Sequence, residues 1–378
     1  MRKATLSVLL TAGALVATAT PAHAADPSFA PYVSTAIDNT AGPGPAPRGT
    51  ATADFDSDGI PDIVTITDFT YGDILLATGD GDGTFTPAGE IPGTVQVQGL
   101  DAGDVNGDGK ADVVAMTVTE VRIRLGNGAG GFSNGPTYPL TLGGQVEPRL
   151  VDLDGDRDLD IVAPTFTAIQ TLRNNGSGTF TAGPTTQVPG AAAISAIDPA
   201  KLDADGKTDL FAVDGFSGTT FALRGTGNGG FTISGQLFAS GLVPEDVTAI
   251  DLNGDGFDDA ATVGSFSFTL VTALTDGSGA FTSPVGTPQF GGSGPTSATA
   301  ADIDGDGRED LVVSSLFTPV PTVTVLAGNG TAAMRKVGDF RVGIAPQNPV
   351  VADYDGDGRL DIVTAGVGAL SFLRNTTP

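Results

Sequence analysis

Apolar residues in this chain come in short runs rich in β-branched side chains, such as Ile63-Val64-Thr65-Ile66 and Leu311-Val312-Val313. Runs of this length, bounded by Gly and Asp, read as buried strands and are too short for helices. Each follows a turn of alternating acids. A second pattern comes after each run: a Leu, a Gly/Asn-rich turn, then a Phe or another large apolar residue. It spans Leu76 to Phe85, Leu125 to Phe132, Leu172 to Phe180, Leu223 to Phe231, Leu274 to Phe281 and Leu326 to Met334. These residues dictate a strand, a tight hairpin and a further strand. With one strand ahead of the acidic turn and one behind it, each period holds four short strands. Four-stranded units repeated radially are the blades of a β-propeller, so the predicted fold class is all-β with seven blades.

The acidic turns number seven. Asp sits at positions 1, 3, 5 and 9 in Asp54, Asp56, Asp58 and Asp62, and again in Asp152, Asp154, Asp156 and Asp160. The same holds for Asp302, Asp304, Asp306 and Asp310, and for Asp353, Asp355, Asp357 and Asp361. Asn takes position 3 in Asp104, Asn106, Asp108 and Asp112, and in Asp251, Asn253, Asp255 and Asp259. The fourth copy, Lys201, Asp203, Asp205 and Asp209, has a cation at position 1. Successive turns start 50, 48, 49, 50, 51 and 51 residues apart, and such a period marks one supersecondary unit that needs its neighbours. Calcium takes six to eight oxygens, which carboxylates at alternating positions of a tight loop can supply, with Gly at position 6 making the turn. An EF-hand is excluded, because position 12 is Thr65 in the first copy and Ala115 in the second, where that motif needs Glu. Position 9 is therefore read as the last ligand. Lys201 removes one oxygen and sets a cation beside the metal position, so the fourth loop is expected to be metal-free, its ammonium standing in for the ion. Arg157 occupies position 6 of the third loop. About six calcium ions are expected in all.

Taken together, the acidic motif and the Leu-turn-Phe motif resemble the FG-GAP or VCBS repeat family, the integrin-α-like propellers of secreted bacterial proteins. The resemblance covers nearly all of the chain beyond residue 24 and implies one Ca²⁺ per intact loop, on one face. The Phe-Gly-Gly-Ala-Pro stretch of integrins is absent. Related propellers serve as lectins, adhesive modules and scaffolds for polysaccharide lyases, so the resemblance implies fold and metal loops but no single activity.

The N-terminus adds a compartment. Arg2 and Lys3 precede a small apolar stretch, and Ala22-His23-Ala24 has the small residues that a signal peptidase reads, so cleavage is expected after Ala24 and the protein to be secreted. The stretch is too short and too rich in Ala, Gly and Thr for a membrane anchor. Residues 25–378 would then form the propeller. Cleavage removes the single His, and the chain has no Cys. Disulfides, His-ligated zinc and Ser-His or Cys-His nucleophilic catalysis are thereby excluded. What remains has 16 basic residues against 44 acidic ones, a net charge of −28, which argues against nucleic acid as a partner.

Two further expectations concern the ring and its ligand. The seventh repeat ends at Pro378 without a fourth strand, whereas Phe29, Val33 and Ile37 form an unmatched strand pattern at the other end. The N-terminal strand should complete the last blade, with Gly42 to Pro47 as a stiff connector. On the face away from the acidic turns, Phe69, Phe166, Phe216, Phe266 and Phe317 share one rim position, where blades two and seven have Thr119 and Gly368. Aromatic side chains there either stack on a ligand such as a sugar or cap the core. The expected function is a non-catalytic module binding an extracellular glycan or protein. The alternative is a calcium-assisted lyase or glycosidase using acids outside the loops, such as Glu90, Glu120, Glu147, Glu245 and Asp246.

Overall fold

A computed structural model describes residues 25–37, 49–67, 72–141, 146–238, 243–265, 269–282, 284–288, 294–315 and 320–378. The proposed signal segment, the Gly42 to Pro47 connector and Phe69, Phe266 and Phe317 lie outside these residues. Among the described residues there is no helix, and the strands form seven four-stranded antiparallel sheets. In the first blade Thr50–Ala53, Asp62–Ile66, Ile74–Gly79 and Phe85–Glu90 lie side by side in chain order. The acidic turn joins the first two strands and the Gly-rich hairpin the last two, as the motifs predict. Blades two to six repeat this meander.

The innermost strands contact one another around a closed ring, from Thr50–Ala53 through to Gln347–Ala352 and back. The second strand of each blade is buried on both faces. Every residue of Asp62–Ile66 and of Asp112–Met116 is inaccessible, which explains runs that are apolar throughout instead of alternating. The core is accordingly a set of layers between blades. In one of them Phe55, Val64 and Leu76 of the first blade meet Leu100, Val113 and Ala115 of the second.

The seventh blade closes the ring with both chain ends. Val33–Ala36 adds to Ala369–Leu373 as the outermost strand, pairing Val33 with Phe372 and Ala36 with Ala369. Backbone bonds extend the seam: Ala30 N–H donates to the Arg374 carbonyl at 3.0 Å and Thr376 N–H to the Ser28 carbonyl at 2.7 Å. Phe29 meets Phe340 of the sixth blade edge to face, with ring centroids 4.7 Å apart. The expected strand exchange is thus present.

Because each innermost strand runs into its acidic turn, all seven turns lie on one face of the ring. The turns between second and third strands, and the links between blades, form the other face.

Candidate functional site

Position 9 is the most uniform feature of the acidic face. Asp62, Asp112, Asp160, Asp209, Asp259, Asp310 and Asp361 are all buried. In the first loop Asp62 Oδ2 accepts the Phe55 N–H at 2.7 Å and Oδ1 the Gly79 N–H at 2.8 Å, tying the loop to the third strand. The same two bonds recur in all seven copies. Each oxygen keeps a second lone pair, so a ligand role is compatible with this clamp. Burial pushes Asp62 up to about 6, and Asp259 and Asp310 up to about 7, against the pull of those amides. The clamp also explains position 2. Phe55, Val105, Leu153, Leu202, Leu252, Ile303 and Tyr354 are buried plugs beside it, a pattern visible in the sequence that the reading of the acids passed over.

Positions 1 and 5 shape the turn itself. Asp104 accepts the Gly107 N–H at 2.8 Å and the Gly109 N–H at 2.7 Å, and Asp108 the Lys110 N–H at 3.0 Å. Carboxylate oxygens of Asp54, Asp56 and Asp58 come within 4.8 Å of one another, as do those of Asp152, Asp154 and Asp160. The sixth and seventh loops gather Asp302, Asp304 and Asp306, and Asp353, Asp355 and Asp357, in the same way. Asp154 Oδ1 is buried without a hydrogen-bond donor, and burial, then the charge of Asp156, holds this carboxyl above its ordinary range. An all-oxygen donor set with an orphaned buried carboxylate oxygen fits a hard divalent cation. Asn106 and Asn253 leave two loops with a smaller charge. Arg157 takes position 6 with φ of +76°, and its N–H still reaches Asp152 at 2.9 Å.

The fourth loop corrects the sequence reading. Lys201 does not enter its own acid cluster. Its ammonium donates to the Gly256 carbonyl of the fifth loop at 2.6 Å and lies 5.5 Å from the centroid of the Phe257 ring. The cations inside the loop are Arg224, paired with Asp203, and Lys207, 2.7 Å from Asp205. A lysine at position 1 sits at the rim, within reach of the neighbouring blade, whereas Arg224 comes off the third strand directly beneath the carboxylates. Arg173 and Arg374 hold the same place in blades three and seven, 3.7 Å from Asp154 and 2.7 Å from Asp355. The signal was legible as Leu-Arg at 172–173, 223–224 and 373–374.

The opposite face carries a cavity of about 590 Å³ at the mouth of the central channel. Gln98, Glu147, Asp246, Ser297 and Asn348, from five different blades, line it together with Phe166 and Phe216. Phe216 is 84% and Phe166 46% exposed, so neither caps the core. Phe216 is held out by a turn anchored on buried Asp214, which accepts the Ala192 N–H at 2.8 Å and the Phe216 N–H at 2.9 Å. Burial alone would raise Asp214, but these amide bonds outweigh it and hold the carboxyl below its ordinary value. Arg149 pairs with Glu147 at 2.8 Å and Asp198 at 3.4 Å. Glu147 also accepts from Asn348, and Glu245 from Ser265. Burial pushes Asp246 up to about 7, and the charge of Glu147 adds to it. Of the acids considered for catalysis, Glu147, Glu245 and Asp246 therefore meet at one site. Glu120 instead pairs with Arg122 at 2.7 Å, and Glu90 ends an outer strand.

A family profile for FG-GAP-like repeats matches residues 54–115, 152–212, 201–262 and 264–313. A comparison with curated proteins finds no match. Among solved structures, an Agrocybe aegerita lectin that recognises non-reducing terminal N-acetylglucosamine is similar, with TM-score 0.55 and 23% identity over 76% of this chain and 79% of that one. BBS1N in complex with ARL6DN gives TM-score 0.62 and 13% identity over 94% and 97% of the two chains. Virginiamycin B lyase from Staphylococcus aureus gives 0.55 and 14% over 92% and 99%. At these identities the likeness concerns the fold.

Proposed function

The chain belongs to the FG-GAP-like repeat family, and from that premise we propose that it is a secreted, calcium-held β-propeller acting as a non-catalytic interaction module for a glycan or protein. One observation carries the reading. Among the described residues, seven of the eight exposed large apolar side chains, all but Val33, lie on the face opposite the acidic loops. Val95, Val118, Val243, Val320 and Ile344 join Phe166 and Phe216 on that face, and Val243, Phe166 and Phe216 line the cavity. An exposed Phe forgoes roughly 1.5–3 kcal/mol of burial, and apolar side chains gathered on one face mark an interaction surface. The fold suits either partner class: the Agrocybe aegerita lectin recognises a glycan and BBS1N is complexed with a protein.

Calcium is assigned to the acidic face, where it would neutralise the clustered carboxylates of a chain without cysteine. Secretion is assigned from the first 24 residues, and sequencing the mature N-terminus should give Ala25 first. The function is tested by a glycan array and by partner capture from extracellular fluid, each with calcium and with EGTA. Specific binding lost on replacing Phe216 by Ala supports the reading; a partner retained by that variant contradicts the assignment of the face.

The convergence of Glu147, Glu245 and Asp246 favours one second reading, a glycosidase or lyase, since a carboxyl raised to about 7 is suited to donate a proton. Release of reducing or unsaturated sugar ends from bound polysaccharide would establish it. The non-catalytic reading expects none.

A further inference from the structure

We propose that the channel mouth is a saccharide site that accepts a sugar terminus bearing no negative charge, and prefers one bearing an ammonium. This rests on the reading of this face as the interaction surface, and adds to it the site and the ligand chemistry. The cavity, about 590 Å³, falls within the roughly 300–1,000 Å³ of small-ligand sites. Its wall combines three kinds of group. Phe216, 84% exposed and held by the Asp214 turn, offers a flat apolar face to the C–H side of a sugar ring, with Phe166 beside it. Gln98, Ser297 and Asn348 supply donors and acceptors suited to hydroxyl groups.

The carboxylates set the charge preference. Glu147, Glu245 and Asp246 face the cavity against one cation, Arg149, and Arg149 is engaged by Glu147 at 2.8 Å and Asp198 at 3.4 Å. The next layer adds acid: Asp101 accepts the Leu150 N–H at 2.8 Å, and Glu309 lines the channel below. A carboxylate on the ligand would enter a negative field in which Arg149, the one cation among the described lining residues, is already taken. An ammonium would gain both from that field and from the Phe faces. The fringe of amides and hydroxyls matches the hydroxyl groups of a sugar, whereas a lysine-bearing peptide would use only the acids and aromatics.

The test titrates the calcium-loaded full chain with three β-1,4-linked trisaccharides: a glucosamine trimer, cellotriose, and a trisaccharide ending in glucuronic acid. The glucosamine trimer should bind tightest, cellotriose about tenfold more weakly, and the acidic trisaccharide at least another tenfold more weakly. Phe216→Ala should weaken the first two at least tenfold with an unchanged melting temperature. Asp246→Asn keeps an acceptor for the Ala298 N–H, which Asp246 Oδ2 accepts at 2.9 Å. It should bring glucosamine trimer and cellotriose to within about threefold of each other. Acidic trisaccharide binding as tightly as glucosamine trimer, or unchanged affinities in Phe216→Ala, would overturn the proposal. Failure of all three sugars would also overturn it, while leaving the interaction-module reading to its own array and capture experiments.

Discussion

Arg157 holds a left-handed backbone conformation, φ +76°, at a turn position where the first two loops have Gly59 and Gly109. A side chain there costs about 1–2 kcal/mol, and a glycine returns roughly 0.5–1 kcal/mol of that through the unfolded chain. Arg157→Gly is therefore expected to stabilise the protein by about 0.5–1 kcal/mol, read as a higher melting temperature. A lower one would mean that the side chain makes a stabilising contact. Position 9 behaves differently from its neighbours. Asp112→Ala orphans two buried N–H groups, those of Val105 and Gly126, and should cost about 3 kcal/mol or more whether or not calcium is present. Asp108→Ala removes an exposed carboxylate, so its cost should appear with calcium and largely vanish in EGTA. Denaturant titrations in both conditions separate the clamp from the ligand.

At the scale of the element, the loops divide by whether position 1 carries a carboxylate. The fourth alone has a lysine there, its other cations, Arg224 and Lys207, having counterparts in Arg374 and Arg359 of the seventh loop, so calcium is expected at six loops and not at this one. Lys201→Asp restores the position-1 carboxylate and should raise the stoichiometry to seven with Arg224 still in place, as Arg173 and Arg374 are in loops three and seven, counted by anomalous scattering at each loop. Lys201→Ala, which removes the cation without supplying an oxygen, should leave it at six. Strong calcium density in the unaltered fourth loop would refute this. The closing strand is the other element under test. Deleting residues 25–37 strips Val33–Ala36 from Ala369–Leu373 and exposes a sheet edge. The truncated chain should aggregate or melt well below the full one, whereas a stable monomer would show the seam to be dispensable.

For the whole molecule, metal and proton compete for one set of carboxylates. Without metal, burial holds Asp62, Asp112, Asp160 and Asp361 at about 6, and Asp259 and Asp310 at about 7. Asp246 in the channel mouth is likewise at about 7. An acid raised above its unfolded value takes up protons on folding, so its contribution is present at low pH and lost as pH rises through the folded value. In EGTA the melting temperature should thus rise as pH falls from about 8 to 5. In excess calcium it should be higher at pH 8 and should fall on acidification, as protons displace the ion. Parallel pH profiles in the two conditions would exclude metal from these loops.

The period, the four strands of each blade, the acidic turns and the shared last blade were legible because they rest on local chemistry. Strand alternation, Gly and Asn in tight turns and a missing final strand are properties of neighbours in sequence. What the sequence could not place were contacts made between blades, where the partner lies about fifty residues away or more. Lys201 and Arg224 are both cations near one loop, and only the packed ring shows that the first reaches Gly256 while the second enters the acids. Glu147, Glu245 and Asp246 are scattered in the chain, and their meeting depends on innermost strands converging on one channel. The exposure of Phe216 was equally undecided, since a rim aromatic turns inward or outward according to the turn beneath it. Buried Asp214, bound by three backbone amides, is the tertiary feature that turned it out.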